Sequence, residues 1–450
     1  MRNYSEAMTT TTAPHRLWRN TPFLIWLVSD TSKGLAAGLF GFALPLVTLI
    51  VTGDAMQAGI IGAVAGVVRT LTTLYGGVLA DRHSRTRLMV LGAAIGVVLS
   101  LAFTLLALGG SLTFTTLLVL TVLLAARAGF FDVAGESALK QIVPDSAMGR
   151  AQAANQARDA ALQLAGGPLG GALLAVGAWL IGAAMTFCHL ISAITAEMLR
   201  RGRRTASTDL AGDPGSEPEP EPGPVNEHLP SARPSTSAIA EMREGFGWLL
   251  GRADLRPVLF IATIINLGFN AGLTTVIFAL QQSGHSPATI GWLSAGAGAA
   301  MLAGAAVAPL LVSRVRSGML IMAGLTAATL GILVISQLHA PGAITAVLAA
   351  SVLLLPALNA GLLGYFMVAV PTELLGRANS ASMALSIGAM PLGPLIAGFG
   401  LTWIGSQQTI LACAALCAIA TALAVGSRGV RLLPAEAGWS AHATRYAAPA

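Results

Sequence analysis

The chain has 450 residues, of which 54% are hydrophobic and only 10% charged, with a mean hydropathy of +0.72. Soluble domains carry about 25% charged residues, so this composition excludes a soluble globular protein and calls for a membrane. The net charge of +6 does not call for nucleic acid, because Lys and Arg are spread over short loops between apolar runs rather than gathered in one patch.

A helical crossing needs about 20 apolar residues. On that measure the sequence predicts spans near 22–50, 56–80, 88–108, 112–138, 152–177, 179–199, 257–282, 290–312, 318–338, 343–367, 379–402 and 407–426. The runs are continuous rather than alternating, which excludes a strand barrel. The reading is an all-α membrane protein with twelve transmembrane helices in two pseudo-symmetric six-helix bundles. Its parts are an N-terminal segment (1–21), a first bundle (22–199), a linker (200–256), a second bundle (257–426) and a tail (427–450). The first run is too long for the apolar region of a signal peptide. The three cysteines, Cys188, Cys413 and Cys417, lie in apolar runs and read as packing residues.

Arg and Lys set the orientation. Loops around residues 51–55, 109–111, 283–289, 338–342 and 403–407 hold none, whereas the alternate loops hold nearly all. The arginine-rich side is therefore expected to be cytoplasmic, with both termini on it. Arg outnumbers Lys heavily, a composition of high-GC bacteria, so a bacterial plasma membrane is expected. In the linker, Asp213 to Pro222 is too polar to bury a core, while Ile239, Met242, Phe246 and Leu249 recur at helical spacing and predict a short helix on the cytoplasmic face. The tail after Arg428 is polar and carries no motif.

The densest charge lies in Gly77-Val78-Leu79-Ala80-Asp81-Arg82-His83-Ser84-Arg85, which joins spans two and three. Asp81 ends a helix, where the partial negative charge of the C-terminus disfavours an acid, so a cation or another helix N-terminus must compensate. The halves also repeat. Val143-Pro144 to Gly149-Arg150-Ala151 precedes span five, and Val370-Pro371 to Gly376-Arg377-Ala378 precedes span eleven; Gly167-Pro168 and Gly393-Pro394 follow them. Parallel six-helix repeats are a transporter architecture with the substrate site between the halves.

On these residues the chain resembles a major facilitator superfamily transporter from span one to span twelve, and within it the branch of enterobactin exporters and macrolide-efflux pumps. The resemblance implies that Gly77, Asp81, Arg82 and Arg85 form a conformational switch, with Asp81 facing the start of helix eleven. It also implies that Gly167, Pro168 and Gly171, similar to the antiporter signature, and Gly393 with Pro394 serve helix packing. Arg127 resembles the antiporter arginine of helix four, whose proposed role is proton transfer.

Charge inside a membrane is by default functional. The first half holds Asp30, Lys33, Arg69, Arg127, Asp132 and Glu136 within spans; the second half holds no buried acid or base, only amides such as Asn266 and Asn270 on span seven and Asn359 with Tyr365 on span ten. Asp30 and Lys33 share a helix face, as do Asp132 and Glu136. They read either as proton and substrate groups or as charges that neutralise each other for packing. Arg69 would contact an anionic substrate or pair with Asp30. Three acids against three bases indicate no charge preference in the substrate. The function expected is proton-coupled efflux of hydrophobic or amphipathic small molecules, drugs and macrolides among them, by a monomer in the lipid bilayer. No cofactor is expected, the proton gradient supplying the energy, and no metal site or enzyme motif is present. The alternatives are a specific exporter of a siderophore, natural product or lysolipid, and a non-transporting sensor or scaffold.

Overall fold

The computed structural model describes residues 19–211 and 238–447. Six helices form the first half: α1 (Thr21–Thr52), α2 (Ala55–Arg82), α3 (Arg85–Leu108), α4 (Phe114–Ile142), α5 (Asp145–Val176) and α6 (Ala178–Ala211). A short α7 (Ala238–Gly251) leads into α8 (Leu255–Gln282), α9 (Pro287–Arg314), α10 (Ser317–Ile335), α11 (Pro341–Val352) and α12 (Leu355–Ala369). Then come α13 (Thr372–Ala389), α14 (Leu392–Trp403), α15 (Ser406–Gly426), α16 (Arg428–Arg431) and α17 (Trp439–Ala447). Eleven stretches are long and apolar enough to cross a membrane, and α13 with the shorter α14 supplies a twelfth crossing. The linker motif 213–222 and the N-terminal segment up to residue 18 lie outside the described residues.

Local chemistry places the ends. Asn20 and Asp54 accept hydrogen bonds from the Phe23 and Met56 amides and so start α1 and α2. Gly53 (φ 69°) and Gly284 (φ 82°) close the first turn of each half in the left-handed region that glycine adopts freely. The repeated Val-Pro is the same joint twice. Val143 and Val370 end α4 and α12, their amides bonded to Leu139 and Phe366, and a new helix starts within two residues of each following proline. Spans ten and eleven each break near a proline, the residue type expected to kink them. Pro356 sits in the first turn of α12, and Pro391 lies between α13 and α14. Proline cannot donate the backbone bond that would continue the preceding turn. Pro45 leaves α1 continuous.

Packing is closest at one end. The largest core cluster takes residues from both halves, Leu44, Leu46 and Ile290 with Val276 and Leu280 among them, toward the arginine-free loops. Toward the arginine-rich loops the core divides. One cluster there belongs to the first half (Trp26, Leu139, Leu199) and another to the second (Leu255, Ile321, Phe366). The main contacts between halves are α5 on α9 and α2 on α14. The two bundles therefore meet at the arginine-free end and part toward the other.

Candidate functional site: a charge network below a small-residue seam

The seam is built from glycines. A Cβ on Gly59 would lie 2.4 Å from the Pro394 carbonyl oxygen, and one on Gly398 would lie 3.0 Å from Gly59 Cα, so α2 and α14 touch backbone to backbone. Across the other contact, a Cβ on Gly167 would meet Ser294 Cβ at 2.4 Å, and one on Gly171 the Pro287 carbonyl oxygen at 2.3 Å. Pro168 Cα stands 3.1 Å from a Cβ built on Gly291. Small residues permit this approach in a membrane, where dispersion between helices replaces hydrophobic drive. Gly167, Pro168 and Gly171 thus face the other half directly. Pro394 does so on α14, while Gly393 faces Asn270 Oδ1 within its own half.

Below the seam lies the charge network. Asp30 on α1 is 4% exposed, and its carboxylate holds Lys33 Nζ at 2.6 Å and Arg158 Nη1 of α5 at 2.5 Å. Lys33 also reaches the Asp132 backbone carbonyl at 3.2 Å, and Arg127 stands 3.6 Å from the Asp132 carboxylate. Arg158 goes on to Asp159 at 2.7 Å and lies over the Trp26 ring, 5.7 Å from its centroid. The indole N–H donates to the Gly135 carbonyl at 2.8 Å. At 1.5 Å per helical residue, Asp30 lies roughly 14 Å and Arg158 roughly 20 Å from the arginine-rich ends of their helices. Asp30 makes the i,i+3 pair with Lys33 that the spacing suggests, and it adds Arg158. Its partners are Lys33 and Arg158, not Arg69; spacing along the chain reveals an i,i+3 pair and cannot reveal a partner 128 residues away. Asp132 faces Lys33 and Arg127. The side chain of Glu136 lies outside the described residues.

A cavity of ≈ 170 Å³ opens beside the network, lined by Arg69, Arg127 and His189 among small apolar residues. A second, of ≈ 340 Å³, shares the walls Phe40, Gly41 and Ala65 with it and reaches Asn270 and Thr274 in the other half. Asn266, one turn before Asn270, lines neither. Asn359 lines a separate apolar cavity of ≈ 390 Å³ between α8, α12 and α13.

The segment 77–85, expected to act as a switch, joins α2 to α3. Only His83 and Ser84 separate α2 from α3, and Arg85 donates to the Ser137 carbonyl at 2.7 Å, tying α3 to α4. Arg82 is exposed. The Asp81 side chain lies outside the described residues, and a Cβ on Gly77 or Gly376 would meet nothing within 4 Å. Arg377, near the start of α13, pairs with Glu244 of α7 at 2.8 Å. A lock between these segments requires the two halves to meet at the arginine-rich end, where they are apart.

One polar cluster escaped the sequence reading. Asp254, 1% exposed at the foot of α8, receives Arg252 in a two-pronged pair at 2.8 and 2.9 Å and the Tyr365 hydroxyl at 2.5 Å. Burial alone would raise the Asp254 carboxyl, but the Arg252 and Tyr365 hydrogen bonds outweigh it and hold it below the usual carboxylate range. Tyr365 therefore faces this cluster rather than the central cavity. The tail joins it. His442 packs edge-on against Tyr365, and Trp439 is buried, its N–H donating to Ser317 Oγ at 3.1 Å. The Arg252-x-Asp254 spacing and the lone Trp439 in a polar stretch were the available signals.

Solved transporters of several kinds share this fold. A bacterial homologue of the iron transporter ferroportin in an inward-facing state gives a TM-score of 0.63 at 13% identity, covering 89% of this chain and 97% of that one. A nucleoside transporter gives 0.62 at 12% identity, covering 90% and 100%. A POT family transporter in complex with 5-aminolevulinic acid gives 0.62 at 11% identity, covering 91% and 96%. No curated protein matches the sequence. A family profile matches residues 31–390. With twelve crossings in two halves and a cavity at their junction, the chain belongs to the Major Facilitator Superfamily of membrane transporters.

Proposed function

We propose that this transporter exports a hydrophobic or amphipathic small molecule across a bacterial plasma membrane in exchange for protons, working as a monomer by alternating access with its arginine-rich face in the cytoplasm. The observation that carries the reading is that α5 takes part in both the charge network and the seam. Arg158 on α5 binds Asp30 of α1, and three turns on, Gly167 and Gly171 seat the same helix against α9 of the other half. Protonating Asp30 would strip Lys33 and Arg158 of their shared anion. Proton binding therefore opposes the α1–α5 contact and loosens the helix that bears half of the seam. Deprotonation restores the pair and the contact. Ligand and proton can shift such an equilibrium only through unequal affinity for its two states, and this arrangement supplies that inequality for the proton.

The apolar walls of the second cavity support a hydrophobic or amphipathic cargo. The resemblance to drug exporters supports the outward direction. The test is a pH jump across proteoliposomes loaded with a fluorescent hydrophobic amine or acid. Dye efflux should follow an inward proton gradient and stop when the gradient is collapsed. Flux that ignores the gradient sinks the proton coupling, and no flux of any dye under any gradient sinks export.

A further inference from the structure

Among the intramembrane charges whose side chains are described, one cation stands apart from the rest. Asp30, Asp132 and Asp159 are each within 4.0 Å of one or more of Lys33, Arg127 and Arg158, so the network closes with three charges of each sign. Arg69 stands outside it. Its guanidinium, which stays charged at any physiological pH, makes no ion pair among the described residues, and it is exposed into the cavity it lines. Beside it, Arg127 is 5% exposed, and its Nε has no hydrogen-bond partner among the described residues. His189 on the same wall is 2% exposed with its Nδ1 likewise unpartnered. A cation at this depth costs several kcal/mol unless an anion or water meets it.

The position suits a ligand. Arg69 is one turn past Gly66, which packs on Pro391, so it lies just beneath the seam at the deep end of the opening between the halves. Phe40 and Ala65 carry the wall from this cationic recess into the larger cavity, where Ile61, Phe278 and Pro394 are apolar and Asn270 offers an amide. Resting on the export reading above, we infer that the transported molecule is an amphipathic anion, its carboxylate, sulfonate or phosphate held by Arg69 beside Arg127 and its apolar body lying toward the second half. A guanidinium binds such oxyanions through two parallel N–H donors. The site then selects against basic drugs, which would bring a second unpaired cation to the same recess.

The test uses two dyes that differ by one group, 8-anilinonaphthalene-1-sulfonate and the neutral N-phenyl-1-naphthylamine. Each is titrated against the full-length protein in nanodiscs of zwitterionic lipid, with empty discs subtracted. The sulfonate should bind saturably and more tightly than the neutral dye. Arg69→Gln should weaken the sulfonate about tenfold or more, the loss typical of a charge-assisted hydrogen bond, and leave the neutral dye unchanged. Arg69→Lys should recover part of the loss, since it keeps the charge and loses the fork. An unchanged thermal melting curve for Arg69→Gln would confirm that folding is intact. Equal affinity for both dyes, or equal loss of both in Arg69→Gln, overturns the inference. Repeating the titration in discs containing phosphatidylglycerol separates the two sources of anion. Unchanged sulfonate binding supports a soluble substrate, and its displacement puts a lipid headgroup in the recess and overturns the substrate assignment. Sulfonate preference without flux of either dye in liposomes would sink export and leave the anion site standing.

Discussion

Placing one methyl group in the seam should redistribute the transporter between its two conformations. In Gly59→Ala the new Cβ would lie 2.4 Å from the Pro394 carbonyl oxygen, 3.0 Å from Gly398 Cα and 3.2 Å from Gly398 N. Carbon–oxygen contacts settle near 3.3–3.6 Å, so α2 and α14 must separate by about 1 Å. The obstructing atoms are backbone, and no side chain can rotate away. Overpacking of this kind costs about 1–3 kcal/mol. The cost falls only on the conformer in which the halves meet at the arginine-free end. It therefore favours the opposite conformer about 5- to 150-fold rather than unfolding the protein. Ser294, seated against Gly167 in the second contact of the same seam, accepts a one-atom change to cysteine as a reporter. The native Cys188, Cys413 and Cys417 are buried and add little background. An impermeant maleimide applied to the arginine-free face should label Ser294→Cys faster in the Gly59→Ala background by that factor. Gly398→Ala should act alike, and the pair should be less than additive, because both methyl groups open the same gap. Unchanged labelling in a protein that still melts cooperatively would refute the view that this contact holds the conformer.

Asp30→Asn should abolish proton-driven flux and also lower the melting temperature, since it leaves Lys33 and Arg158 without their anion; breaking a buried pair costs about 3–5 kcal/mol. Adding Arg158→Gln should recover part of that stability without restoring flux. Asp254→Asn should cost a similar amount at neutral pH. Because the folded carboxyl titrates below its usual value, its contribution is complete above about pH 4 and fades as pH falls further. Parent and variant should therefore converge in acid melts, and a constant gap would remove Asp254 from this role. Trp439→Ala should lower stability by about 3–5 kcal/mol, readable as a lower melting temperature, because the ring is buried and its N–H holds Ser317.

Much of the architecture was legible because the membrane restricts what a chain can do. Apolar runs of about 20 residues have one outcome there, so helix number and order follow from hydropathy. The repeated Val-Pro joints and Gly-Pro steps locate equivalent junctions because proline and glycine act through local backbone geometry. The exceptions are local too. The breaks in spans ten and eleven depend on whether neighbours tolerate an interrupted helix, and Pro45 shows that proline alone does not decide it. The tail read as featureless because its anchor is one residue, Trp439, whose partners Ser317 and Gly364 belong to distant helices.

By itself, the sequence determined the membrane class, the two six-helix halves, the family and the concentration of intramembrane charge in the first half. The class and the charge distribution follow from composition, the halves from the internal repeat, and the family from the resemblance of the motifs at 77–85 and 167–171. Only the tertiary structure decided how the charges pair between helices. Three acids and three bases in the sequence read as balanced. Among the described side chains, the fold draws in Arg158 and Asp159 from α5, closes a neutral network without Arg69, and leaves that arginine facing the cavity. Pairing between helices depends on distances of a few ångströms between residues more than a hundred positions apart. Periodicity records which residues share a helix face and carries no information about what that face meets.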